Sequence, residues 1–290
     1  MSKKPKANII DYSFSAPQYL LPHQALSKVM HRATRSRLKP FKSAVISGLT
    51  HIYGINMQEA EHQNRKSYNS VNAFFTRALK SGVREIDADP EAVVSPVDGT
   101  VSEAGPIHDQ QIIQAKGRDY TVLDLLAGDK ALADQFKDGD FATIYLSPKD
   151  YHRIHMPCDG SLQSMRHVPG RLFSVNPRTT RSVPRLFARN ERVINVFETE
   201  FGPMVLIMVG AIFVSSMETV WHGEVNTTRK GNVREWQYDG SLKLAKGDEM
   251  GRFNMGSTVI LLYPNGAVEQ NSVMEPTQTL RLGQRIADLV

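Results

Sequence analysis

Residues 204–214 read Met204-Val-Leu-Ile-Met-Val-Gly-Ala-Ile-Phe-Val214, the purest apolar run in the chain. A helix that spans a bilayer needs roughly 20 such residues. This run falls well short and Gly210 interrupts it, so it reads as a buried strand or strand pair. The texture around it agrees. Val205–Val209, Ile212–Val214 and Thr258–Tyr263 look like interior strands. Shorter β-rich runs end in turn signals: Ala92–Val94 before Pro96-Val97-Asp98-Gly99, Phe141–Leu146 before Ser147-Pro148, and Asn195–Phe197 before Phe201-Gly202-Pro203. One helical stretch, Leu123 to Phe136, interrupts them. Residues 81–290 therefore predict a mainly antiparallel β core, barrel or sandwich-like, and the fold class is α+β.

The first 80 residues have another period. Leu21, Ala25, Leu26, Val29 and Met30 recur at helical spacing after Pro22, with Lys28, Arg32 and Arg35 on the other face. A second helix starts near Pro40, carries Phe41, Ala44, Val45, Leu49, Ile52 and Tyr53, and stops at Gly54. A third starts at Ser70, a good N-cap, and carries Val71, Phe74, Phe75 and Leu79. Basic amphipathic helices can lie in a membrane interface or simply cover a core. The third reads as cover; for the first two both readings stand.

Charge sharpens the contrast. The net charge is +5, yet residues 1–50 hold nine Lys/Arg against Asp11 alone, a net +8, and the other 240 residues sum to −3. Something anionic meets that end, either lipid head groups or nucleic acid. Aromatics are not interleaved with the basic run and no nucleic-acid motif is present, which argues against nucleic acid. The composition, 41% hydrophobic and 22% charged over 290 residues, excludes collagen, coiled coil and wholesale disorder. Cys158 is the single cysteine, so an intramolecular disulfide is excluded and a reducing compartment fits. The first residues carry lysines but no apolar segment of a secretory signal.

Three local features could carry chemistry. Asp98 sits in a tight turn after a strand, where a plain turn aspartate is the ordinary explanation. His152 and His155 lie within Ser147-Pro148-Lys149-Asp150-Tyr151-His152-Arg153-Ile154-His155-Met156-Pro157. The zincin spacing is absent and no cysteine or carboxylate cluster completes a site, so no metal is expected. In an extended segment, residues three apart point to opposite faces, so the two histidines can have separate jobs. Gly256-Ser257 precedes an apolar strand, where glycine tolerates strain and lets a nucleophile approach its carbonyl.

Taken together, these strings make the chain similar to the phosphatidylserine decarboxylase proenzymes. The resemblance runs through Phe74-Phe75-Thr76-Arg77, Ser95 to Gly99, Tyr145 to Pro157, Pro169 to Asn176, Leu186 to Arg192, Glu218 to Trp221 and Lys246 to Phe253. The family's Leu-Gly-Ser-Thr hallmark reads Met255-Gly256-Ser257-Thr258, a swap that keeps volume and polarity. At Val214-Ser215-Ser216 bacterial relatives tend to have Val-Gly-Ser.

The resemblance implies that Ser257 attacks the Gly256 carbonyl, that the chain splits into 1–256 and 257–290, and that Ser257 becomes a covalent pyruvoyl cofactor and Schiff-base site. It maps Asp98, His155 and Ser257 onto the self-cleavage triad and His152 onto decarboxylation. It implies phosphatidylserine as substrate and phosphatidylethanolamine as product. It also implies a heterodimer of the two chains, with a dimer of that pair left open. Residues 1–80 would then be a docking region on the cytoplasmic side of a cell membrane, and residues 81–290 the catalytic part. The rival reading is a serine hydrolase that uses the same three residues in an uncut chain.

Overall fold

The computed structural model describes residues 6–115, 118–212, 216–225 and 231–290. Its centre is an antiparallel sheet. The strand order is Arg234–Gln237, Gly160–Val168, Arg192–Thr199, Gly202–Gly210, Ser257–Tyr263, Asp140–Leu146, Gly99–Pro106 and Thr279–Leu280, with Lys243–Leu244 also on Gly160–Val168. The order has two open ends, so of the two expected architectures the sheets are sandwich-like and not a closed barrel. Met204–Val209 and Val259–Leu262 are fully buried, on both faces of the sheet. Two-sided burial is why these strands read as unbroken apolar runs instead of alternating. Ile212 lies in a turn, and the rest of the strand expected at Ile212–Val214 lies outside the described residues.

Besides the two-stranded pair Gln111–Ala115 and Arg118–Thr121, two smaller sheets accompany this one among the described residues. Gly223–Glu224, Ser216–Thr219, Glu249–Asn254 and Arg153–His155 form one, and Ala92–Val94, Arg285–Leu289 and Val268–Gln270 the other. The helix expected over Leu123 to Phe136 is two short helices, Val122–Leu125 and Lys130–Asp134. Ala127 and Gly128 between them take positive φ, and Asp129 caps the second helix.

The helices lie in the first 75 residues, apart from short ones in the sheet connections: α1 (Ile9–Ser15), α2 (His23–Thr34), α3 (Lys39–Tyr53) and α4 (Val71–Phe75). The sequence reading missed α1, which an Asn8–Asp11 capping box starts. Gly54 ends α3 at φ 63°, as expected of a left-handed cap. The third expected helix stops at Phe75, and Leu79 instead bridges to Ala60. Ile46, Ile55, Tyr68, Val71 and Phe74 make a small second core, against which Val45 and Leu49 pack. No helix among the described residues is long and apolar enough to cross a membrane.

Candidate active site

Ser257 opens the strand in the middle of the large sheet, its backbone paired with Leu146 on one side and Gly210 on the other. Thr100 pairs with Tyr145, and one more step of that register sets Gly99 beside Leu146. Neighbouring strands are about 4.8 Å apart, so Gly99 lies two strands, roughly 10 Å, from Ser257. Glycine is needed there, because a Cβ would meet the Tyr145 carbonyl oxygen at 2.8 Å. The turn before it runs along the histidine segment: the His155 N–H donates to the Pro96 carbonyl at 2.9 Å. Three segments far apart in sequence thus lie side by side at backbone level.

The side chains make other pairings than a simple relay. Asp98 accepts a two-pronged contact from Arg84, Nε to Oδ1 at 2.9 Å and Nη2 to Oδ2 at 2.6 Å. The Leu282 N–H also donates to Oδ1 at 2.9 Å. His155 Nδ1 faces the Gly247 carbonyl at 2.7 Å. A carbonyl can only accept, so Nδ1 carries the proton and Nε2 presents its lone pair. That lone pair receives the Tyr151 hydroxyl at 3.1 Å. Burial keeps the His155 ring below its ordinary pKa and therefore neutral near pH 7. Burial, with Glu249 and Asp98 adding to it, pushes the Tyr151 hydroxyl up to about 12. The orienting contact on His155 is thus a backbone carbonyl, and Asp98 is felt one residue away, at Tyr151.

His152 has a different setting. Its ring is fully buried and stacked on Phe75 at 4.0 Å and 14°; neither ring nitrogen makes a well-formed hydrogen bond, though the Ser147 and Pro148 backbone lies near enough to favour the protonated form. Burial, then the charge of Arg77, lowers its pKa to about 3. Arg77 is itself buried; its Nη2 donates to the Lys149 carbonyl at 3.0 Å, while Nε and Nη1 are unpartnered. A buried guanidinium with two unsatisfied N–H groups, its charge felt at a buried imidazole, is costly unless something anionic arrives.

The step before Ser257 is strained. Met255 has φ 99°, a region that residues with a side chain seldom occupy. Gly256 has open space, with nothing within 4 Å of a Cβ built on it. Upstream, the Phe253 N–H donates to the His152 carbonyl at 3.0 Å, and the buried Asn254 side chain is bonded on both sides.

The family model described as phosphatidylserine decarboxylase matches residues 71–288, and a second, described as PSD, matches residues 13–54. The chain belongs to the phosphatidylserine decarboxylase family. It is 56% identical over 272 residues to a phosphatidylserine decarboxylase proenzyme of Acidovorax ebreus, covering 93% of this chain and 95% of that one. It is 52% identical over 275 residues to the corresponding proenzyme of Herminiimonas arsenicoxydans, covering 94% and 93%. A Nitrosococcus oceani proenzyme is 48% identical over 282 residues, covering 97% and 92%. Membership of the phosphatidylserine decarboxylase family places the chain among the lyases and not among the serine hydrolases.

Sequence reasoning named Asp98, His152, His155, Gly256 and Ser257, but not their neighbours. Arg84, Tyr151, Gly247 and Phe75 each touch one of them, and the charge of Arg77 acts on His152. Of these, Tyr151, Gly247, Phe75 and Arg77 lie inside the strings that resemble the phosphatidylserine decarboxylase family, so a signal existed without a role attached to it. Nothing in the sequence marks Arg84 or the strain at Met255. The departure at Val214-Ser215 lies outside the described residues; Ser216 is described and buried.

Proposed function

We propose that the chain cuts itself between Gly256 and Ser257, turns Ser257 into a pyruvoyl group, and decarboxylates phosphatidylserine to phosphatidylethanolamine and carbon dioxide at a membrane surface. The observation that carries this reading is the strained Met255–Gly256 step at the head of the central strand of a phosphatidylserine decarboxylase family member.

Self-cleavage starts with attack of Ser257 Oγ on the Gly256 carbonyl carbon, while His155 Nε2 takes the hydroxyl proton. The neutral ring suits that task once the Tyr151 hydroxyl, which occupies the Nε2 lone pair, gives way to Ser257. The peptide nitrogen takes up a proton as the C–N bond breaks, and an ester replaces the peptide. Loss of the Ser257 Cα proton and departure of the Gly256 carboxylate leave dehydroalanine. Water then releases ammonia and leaves the pyruvoyl on chain 257–290. Asp98, held by Arg84, favours the transient imidazolium by its charge at a distance.

The open space around Gly256 fits a new carbonyl at this point of the strand. The pyruvoyl group supplies the electron-poor carbonyl that takes up the electron pair left on the substrate Cα. His152 serves this stage. An anionic headgroup beside it raises its proton affinity, so that a ring nitrogen delivers a proton to Cα as carbon dioxide leaves. The unpartnered N–H groups of Arg77 suit the same headgroup.

What supports docking is an inversion of the N-terminal helices. In α1, α2 and the turn between them, the residues buried against the body are polar: Asp11, Ser15, Gln18, His23, Ser27 and Thr34. Asp11 takes a two-pronged contact from Arg181 at 2.9 and 2.8 Å. The apolar side chains point away, with Ile9 81%, Leu20 89% and Val29 64% exposed. Arg171, Arg178 and Arg189 rim that face, against Tyr19 and Phe14. An apolar face ringed by cations fits the cytoplasmic leaflet of a cell membrane, and each near-surface cation contributes about 1 kcal/mol. Residues 1–80 are thus the docking region and residues 81–290 the catalytic part, the two cleaved chains staying paired through the sheet.

The test is the intact mass of the purified protein under denaturing conditions. Two chains are expected, the smaller one blocked at its N-terminus and reducible by borohydride. One species at 32.5 kDa, or a small chain that begins with free serine, overturns the reading.

A further inference from the structure

The strain at Met255 needs an anchor on each side, because a backbone held at φ 99° relaxes unless its surroundings fix it. Downstream, the anchor is the pairing of Ser257 between Leu146 and Gly210. Upstream, it is Asn254. This side chain is 1% exposed and bonded at both ends. Its Oδ1 accepts from Asn72 Nδ2 at 3.0 Å, and its Nδ2 donates to Ser216 Oγ at 2.7 Å. Ser216 Oγ accepts in turn from Arg35 Nη2 at 3.1 Å, and Arg35 also pairs with Glu224. Asn72 belongs to α4, Arg35 is the residue that closes α2, and Ser216 opens the strand paired with Asn254. Side chains from the helical layer therefore grip the residue two positions before Gly256.

We infer that Asn72, Ser216 and Asn254 form a clamp that holds Met255–Gly256 in its strained form, so that the helical layer positions the Gly256 carbonyl for Ser257. The three are positioning residues for self-cleavage, and Arg35 extends the clamp to α2. The inference rests on the self-cleavage reading above. Without the clamp, Met255 relaxes toward negative φ and the carbonyl leaves the path of attack.

The test follows the appearance of chain 257–290 after synthesis of the full chain in a cell-free system. Asn72→Asp has the shape of asparagine but cannot donate to Asn254. One lost hydrogen bond of this kind slows splitting roughly fivefold to tenfold. Ser216→Thr keeps the hydroxyl and Ser216→Val has the same shape without it. The threonine variant should split at close to the normal rate and the valine variant slowly, a difference that packing alone would not produce. Arg35→Gln, at a partly exposed site, should slow splitting without affecting folding. Asn72→Asp combined with Ser216→Val should be slower than either alone. If the normal chain splits and all of these split equally fast, the clamp is wrong and self-cleavage stands. If the threonine and valine variants are equally slow, Ser216 acts by packing and the clamp is wrong. If the normal chain never splits, the self-cleavage reading itself fails.

Discussion

Burial, with the charge of Arg77 adding to it, lowers the His152 pKa to about 3 in the folded chain, against an ordinary 6.5 when exposed. Between those values the unfolded chain binds a proton that the folded chain does not. Stability from this group is therefore present above pH 6.5 and falls as the pH drops, by about 1.4 kcal/mol per pH unit. His155, lowered in the same direction, adds to the slope. Urea unfolding between pH 6.5 and 4.5 should show this loss, and His152→Phe, which keeps a ring on Phe75, should remove about one proton from the slope. A second expectation concerns the chemistry. Ser257→Ala should fold and stay whole, and His155→Ala or Asp98→Asn should split at least 100-fold more slowly on a denaturing gel. Asp98, His155 and Ser257 could be picked out as candidates because unusual strings occur in the right order. The arrangement around them could not. Arg84 reaches Asp98 through tertiary packing, and methionine carries no turn signal that would announce φ 99° at Met255.

At the scale of elements, periodicity locates the N-terminal helices but cannot say which face meets the body. The expected ranges for α2 and α3 came out to within a few residues. Of the apolar residues in the two expected helices, Val29 and Phe41 are exposed, whereas Val45 and Leu49 pack on the small second core. The first helix thus turns its apolar side out, and the second divides its apolar residues between core and surface. Ile9→Glu and Leu20→Glu should leave thermal stability within about 0.5 kcal/mol, since both side chains are exposed. The same changes should lower binding to vesicles containing anionic lipid at least tenfold, as read by co-sedimentation. Ile46→Ala should do the reverse, costing about 2–4 kcal/mol of stability by opening a cavity in the second core. In the β region the apolar runs at Val205–Val209 and Thr258–Tyr263 gave interior strands directly, whereas Ile212 lies in a turn. The break in the Leu123 to Phe136 stretch was legible at Gly128 only in hindsight, since a lone glycine inside a helical pattern is often tolerated.

For the molecule as a whole, cleavage would not release the small chain. Its first strand lies between Asp140–Leu146 and Gly202–Gly210, and its later strands pair with Ala92–Val94 and Gly99–Pro106. The two chains should elute together in native size-exclusion chromatography and separate only in denaturant. The resemblance already implies that the two chains stay paired, but not which strands hold them, because the order of strands across a sheet depends on contacts between distant segments. The placement of Ser257–Tyr263 has one more consequence. Before the cut, folding involves one molecule; after it, the same native structure is an association of two, and mass action applies. Each tenfold dilution of the processed protein should then reduce its stability by about 1.4 kcal/mol, while uncut Ser257→Ala should unfold at the same midpoint at every dilution. An enzyme that makes its cofactor from its own backbone in this way trades a unimolecular fold for a bimolecular one, and after full unfolding its recovery depends on two separate chains meeting again.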